Sequence, residues 1–259
     1  MPDAVSHVRL GNSPLRRIVC QMRYPVELGF DATVVRPLQK QLATYYPQAA
    51  SERAVTGIVL APDGTPARID VKDVFRFISE DETSIVQITD EFVALETTAY
   101  SRFEDFADRW KRIVSAVAEA IDVRKQTRLG LRYTNVIERP NVNSVSEWHG
   151  LISQHLLTSV TEVSAVGGGV SIQFEQTILI ETSTGVCALR HGYPRISAAN
   201  MPIPAGYVID VDSYSEQQRD IDTREQTEIL SAWNNQSYQL LRSSVTSQLW
   251  ESFEPETVG

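Results

Sequence analysis

The chain has 259 residues, 42% hydrophobic and 22% charged, with 33 acidic against 24 basic side chains and a formal net charge of −9. That length buries a core without metal or disulfide support. The acidic balance argues against nucleic-acid or anionic-membrane binding, which depend on clustered Lys and Arg; no apolar run nears the roughly 18 residues of a membrane span, no secretory apolar segment follows Met1, and a cytoplasmic location is expected.

In chain order, residues 1–12 read as a short unstructured arm. Arg16–Tyr24 reads as a strand, with Ile18, Cys20, Met22 and Tyr24 alternating against Arg17, Val19, Gln21 and Arg23. Thr33–Tyr46 reads as a helix with Val35, Leu38, Leu42 and Tyr45 on one face, ended by Pro47. Strands are expected at Val55–Leu60 and Ala67–Ile78 around the turn Ala61-Pro62-Asp63-Gly64, then at Ser84–Thr89 and Glu91–Thr98. Ser101–Ile121 reads as a long helix, with a capping box from Ser101 and Glu104 and an apolar stripe of Phe103, Phe106, Trp110, Ile113, Val117 and Ile121. The second part begins with a strand over Arg128–Ile137 and a helix over Val145–Leu157. Gly167-Gly168-Gly169 reads as a hairpin turn before a strand over Ser171–Glu181. Strands Val186–Arg190 and Gly206–Ser213 follow. A helix is expected from Thr223 to Phe253, with Ser215 and Gln218 as a further capping box, and 254–259 as a fraying tail.

The two parts share one order of elements. Met22-Arg23-Tyr24 answers Leu131-Arg132-Tyr133, and Leu95–Ser101 answers Ile209–Ser215, each run ending in Tyr-Ser. The expected class is therefore α+β: a tandem duplication of a strand–helix–antiparallel sheet–long helix unit, over 13–123 and 124–253. This gives a curved sheet with helices on one face, TATA-binding-protein-like or helix-grip-like. Such an analogy carries no function.

Chemistry-bearing groups are sparse. Cys20 and Cys187 lie in apolar strand contexts and read as buried reduced thiols. The four histidines lack metal-ligand spacing, Gly167-Gly168-Gly169 lacks the Lys-Ser/Thr of a phosphate loop, and no Gly-x-Ser-x-Gly occurs. No catalytic residue, cofactor or metal is assigned. What remains is the polar face of the strands. Arg23 and Arg132, Glu96 and Asp210, and Thr98 and Asp212 occupy matching places in the two parts, and Gln173 and Glu175 lie on a further polar strand face. Arg132 could pair with Asp210 or Asp212, and Arg23 with Glu96, either as cross-strand ion pairs or as a recognition surface. The insertion His191–Ala205, carrying His191, Arg195, Met201 and Ile203 among prolines, is a candidate contact loop.

Asn12-x-Pro14-Leu15, Tyr45-x-Pro47, Thr97-Thr98-x-Tyr100, Ile209-Asp210-Val211-Asp212 and above all Arg128-Leu129-Gly130-Leu131-Arg132-Tyr133-x-Asn135 resemble a sporadically distributed prokaryotic protein family without an assigned activity. The resemblance spans nearly the whole chain. It implies a bacterial or archaeal cytosolic protein and an association with mobile defence or toxin–antitoxin modules, and transfers no catalytic residue.

The leading expectation is a non-enzymatic binding protein that presents its sheet to a polypeptide, either a partner protein or a second copy of itself. The alternative is a small-molecule binder or enzyme with a pocket between sheet and helices, lined by Tyr24, Tyr133, Trp110 and Trp233. Nucleic-acid binding would require Arg23, Arg128 and Arg132 to dominate one face without their acidic neighbours.

Overall fold

Alternating and helical apolar periodicities resolve, among the described residues, into thirteen strands and five α-helices in a computed structural model. It describes residues 8–60, 66–139, 142, 144–194 and 206–256, with the backbone alone for 55–60 and 66–70. The first elements are β1 (Arg9–Leu10), β2 (Leu15–Arg23), α1 (Ala32–Leu42), β3 (Gln48–Leu60), β4 (Pro66–Ile78), β5 (Ser84–Ile88), β6 (Phe92–Thr97) and α2 (Phe103–Ala120). Then come β7 (Lys125–Gln126), β8 (Arg128–Glu138), a 3-10 turn at Val145–Trp148, α3 (Gln154–Val166), β9 (Phe174–Thr182), β10 (Gly185–Tyr193) and β11 (Gly206–Ser215). The chain closes with β12 (Arg219–Asp220), α4 (Thr223–Ser244), α5 (Ser247–Glu251) and β13 (Pro255–Glu256). The protein is α+β, with a nine-stranded antiparallel sheet in the order β3-β4-β5-β6-β2-β8-β11-β10-β9. No described helix is long and apolar enough to cross a membrane.

The compact units do not follow the expected boundary at 123/124. One comprises Ile18–Leu131 and Tyr214–Leu230; the other comprises Met1–Arg17, Arg132–Ser213 and Ser231–Gly259. In the first, Ile18, Cys20 and Met22 are fully buried on one face of β2, opposite Thr97, Leu95 and Val93 of β6. The α2 stripe of Phe106, Trp110, Ile113 and Val117 is buried as its spacing requires. Three polar side chains in this core are linked: Trp110 Nε1 donates to Gln226 Oε1 at 3.0 Å, and Gln226 Nε2 donates to Gln126 Oε1 at 2.6 Å.

In the second unit, Trp148, Leu156, Leu157, Tyr193, Tyr207, Ile209, Val211 and Trp250 belong to one core cluster. Two expectations about the chain ends change here. Arg9 and Leu10 pair with Glu256 and Pro255, and the Gly11 and Asn12 amides donate to the Glu254 and Phe253 carbonyls, both at 3.0 Å. Residues 9–12 and 253–256 of the expected arm and tail are thus held to each other by backbone hydrogen bonds; the outermost residues of both lie outside the described residues.

Several local readings are also corrected. The helix expected at Val145–Leu157 is a capped 3-10 turn followed by α3. Ser144 and Glu147 form a capping box there, and Gly150, at φ +80°, separates the two pieces. The Ser101/Glu104 box does not form: Arg102 takes the N-cap position, and Ser101 Oγ donates to Asp105 at 3.0 Å. Ser215 ends β11, and Asp222 accepts from the first amides of α4, those of Arg224 and Glu225. The long C-terminal helix breaks after Ser244, because Thr246 caps α5 through its hydroxyl to the Leu249 amide.

Gly167-Gly168-Gly169 is a helix stop rather than a hairpin turn. The Gly167, Gly168 and Gly169 amides donate to the Val163, Ala165 and Ser164 carbonyls, and Gly168 takes φ +67°. Open space surrounds the site of a Cβ on Gly168, so Gly168→Ala incurs only the left-handed backbone penalty. It is expected to cost about 1 kcal/mol in urea denaturation, whereas Gly169→Ala, with φ outside that region and equally open space, costs less.

Candidate functional site

Strand alternation sorts the second unit's sheet into two faces. Tyr133, Ile137, Ile209, Val211, Leu189 and Tyr193 are buried on one face; Arg132, Asp210, Asp212 and Arg190 share the other. Arg132 and Asp210 form a bidentate pair, Nε to Oδ1 and Nη2 to Oδ2, both at 2.7 Å. Arg190 Nη1 lies 3.4 Å from Asp210 Oδ2 and 3.6 Å from Asp212 Oδ2, and Thr134 Oγ1 donates to Asp210 Oδ1 at 3.4 Å. The Asp210 side chain is only 5% exposed against 41% for Arg132. Hydrogen bonding to Asp210 raises the Arg132 pKa above its ordinary value despite burial. Two guanidiniums and two carboxylates balance one another, so the cluster is an internally neutral ion-pair layer. Arg190, its fourth member, was not among the sequence candidates.

The matching arrangement expected in the first part does not form by register. Glu96 stands opposite Val19 and Arg23 opposite Phe92, placing the two four residues apart along the pair, about 13 Å. Arg23 is exposed at the strand's end.

His191 is a core residue, not part of a contact surface. It shares the buried phase of Cys187, Leu189 and Tyr193, is 3% exposed, and places Nδ1 2.9 Å from Tyr207 Oη. Its ring stacks on Tyr207 and meets the Phe174 edge at 5.9 Å. Burial, together with nearby His155, lowers its pKa to about 4. Arg195, Met201 and Ile203 lie outside the described residues.

The aromatics expected to line an internal pocket close hydrogen bonds inside the core instead. Tyr24 Oη donates to the Thr89 carbonyl at 2.7 Å, Tyr133 Oη to Asn234 Oδ1 at 2.8 Å, and Trp233 Nε1 to Thr184 Oγ1 at 2.9 Å; Trp110 bonds Gln226 as above. The groove that does occur in the first unit, about 730 Å³, is an open polar one beside α2. There Arg112 stacks over Tyr45 at 5.0 Å, Arg109 Nη1 donates weakly to Ser84 Oγ at 3.4 Å, and Asp81 accepts from Ser79 and Thr83. Cys20 and Cys187 are buried and unbridged, as their contexts indicated, and burial pushes both thiols up from their ordinary value, away from the reactive thiolate.

The feature that sequence reading missed is the sheet edge. Among the described residues, β9 has β10 as its one neighbour, pairing from Phe174 opposite Tyr193 to Thr182 opposite Gly185. Its outer side is therefore a nine-residue row of backbone donors and acceptors. Gln173 and Glu175 are exposed at its start. Ten large hydrophobic side chains are exposed among the described residues, and six cluster in sequence here: Val163 and Val166 on α3, Val170 and Ile172 in the connection, and Ile178 and Leu179 on β9. Val166 is 91% and Leu179 67% exposed. Gln176 Nε2 donates to Ser159 Oγ at 2.5 Å, tying the strand to α3. The fold and this site define an α+β protein whose β9, among the described residues, forms an apolar sheet edge. No protein-family model matches the chain, and no curated protein matches it.

Proposed function

We propose that this chain is a non-enzymatic binding protein that takes up an extended polypeptide as an added strand on β9. The observation that supports this is the coincidence of a nine-residue strand that has one neighbour among the described residues with six exposed apolar side chains. Sheet edges in soluble proteins are ordinarily blunted by Lys, Pro or bulges. Here Phe-Glu-Gln-Thr-Ile-Leu-Ile-Glu-Thr contains neither Lys nor Pro, and its register with β10 runs without a shift. Strand addition supplies backbone hydrogen bonds for affinity and side-chain contacts for choice of partner. The Arg132–Asp210–Arg190–Asp212 layer then acts as scaffold beside the docking strand, since its charges are already matched. The resemblance to a patchily distributed prokaryotic family extends the proposal to an accessory role in mobile defence or toxin–antitoxin modules.

Selection of displayed random peptides on the immobilised protein tests the reading. Enriched peptides are expected to lose at least about tenfold in affinity on Leu179→Lys, which puts a charge on the edge. Absence of enrichment, or equal binding to wild type and Leu179→Lys, would overturn it.

A further inference from the structure

We infer that the strand received by β9 is apolar at its centre and basic at its flanks, and that β9 is built to reject a second copy of itself. This rests on the edge reading above and adds the chemistry of the occupant. From 140 to 189 the sequence contains no Lys or Arg, a span in an otherwise mixed chain that nevertheless holds Glu147, Glu162, Glu175 and Glu181. The edge strand itself is therefore apolar and acidic; the nearest cation on its face, Arg190 of β10 opposite Thr177, lies against Asp210 and Asp212. Glu175 and Glu181 are both exposed and both project to the face opposite the core, as do Thr177 and Leu179 between them. An incoming strand meets a carboxylate near each end, with Thr177, Ile178 and Leu179 exposed between them.

The same spacing acts against self-pairing. Two copies of β9 aligned antiparallel over their whole length centre on Ile178, which puts Glu175 of each copy opposite Glu181 of the other. Both like-charge contacts are directly cross-strand, the arrangement that destabilises an antiparallel pair. A strand with Lys or Arg at those two places converts both repulsions to attractions. The occupant that fits is thus a basic-flanked apolar segment of another polypeptide.

The charge pattern can be inverted on the protein itself. Glu175→Lys/Glu181→Lys makes β9 a basic-flanked apolar strand, and both positions are exposed, so the fold is undisturbed. By sedimentation, wild type alone and the double variant alone are expected not to pair through β9. Their equimolar mixture forms a one-to-one complex at least about tenfold tighter than either self-association. That complex weakens at 1 M salt and is lost when the wild-type partner carries Leu179→Lys. The single variant Glu175→Lys sets an ammonium opposite Glu181 at both ends of the antiparallel pair and is expected to self-associate. Peptides enriched in the display selection carry Lys or Arg at both ends. If wild type self-pairs through β9 as tightly as the mixture, or if enriched peptides bind β9 without basic flanks, the charge inference fails and the edge reading survives. If no combination associates and no peptide enriches, the edge reading itself fails.

Discussion

Arg132→Ala is expected to lower folding stability by about 3 kcal/mol, clearly more than Asp210→Asn at about 1 kcal/mol. The asymmetry follows from exposure. Asp210 is buried at 5% while Arg132 keeps 41% of its side chain in water. Removing the arginine strands a buried carboxylate whose remaining partners, Arg190 and Thr134, both stand at 3.4 Å rather than 2.7 Å. Replacing the carboxylate with an amide of the same shape leaves arginines that water can solvate. Urea denaturation of both variants at neutral pH measures the difference. Equal costs, or a larger cost for Asp210→Asn, would mean that the layer is not held by desolvation of its carboxylate. If the layer is scaffold, peptide binding at β9 survives Asp210→Asn; loss of binding in a folded Asp210→Asn protein would move the docking surface onto the ion-pair face.

The parts of this structure legible from sequence are those fixed by local period and by charge sign. Ile18, Cys20 and Met22 announce a half-buried strand through alternation alone, and the α2 stripe announces its buried face. Arg132 and Asp210 were matched because opposite charges on the same phase of neighbouring strands attract. His191 was misplaced although the signal existed: Cys187, Leu189, His191 and Tyr193 share one phase, and that phase is apolar. Three consecutive glycines permit a helix stop as readily as a hairpin turn, and only the carbonyls left by α3 decide between them. The Arg23–Glu96 pairing failed for a different reason. Register between β2 and β6 is set by the whole length of the pair, so a short sequence match cannot locate it. The docking edge was least legible of all. Whether a strand is central or terminal depends on which others pair with it, and nothing in Phe174–Thr182 states that β10 is its one described neighbour. The lack of Lys and Arg from 140 to 189 is the one trace of it in the sequence.

His191 is expected to make the protein acid-sensitive well above the range in which ordinary carboxylates titrate. The unfolded chain binds a proton at an ordinary histidine pKa of about 6.5, whereas burial in the aromatic cluster of Phe174, Tyr207 and Trp148 lowers the folded-state value to about 4. Between those values the unfolded state holds more protons than the folded one. Stability therefore rises with pH: it is fully present above 6.5 and is progressively lost as pH falls toward 4. The linkage is on the order of 2 kcal/mol at pH 4.5. The ring offers the charged form little compensation. Its Nδ1 faces the Tyr207 hydroxyl, while Nε2 is buried without a partner among the described residues; the cationic form would require both to donate. His191→Phe keeps a planar ring against Phe174 and Tyr207 and removes the titration. The stability gap between wild type and His191→Phe, measured by urea denaturation at pH 7.5 and 4.5, should shift by roughly 2 kcal/mol in the variant's favour at the lower pH. Carboxylate titrations elsewhere affect both proteins equally and cancel in that gap. A gap that does not change with pH would show that the imidazole reaches water in the folded protein and that the aromatic cluster does not hold it neutral.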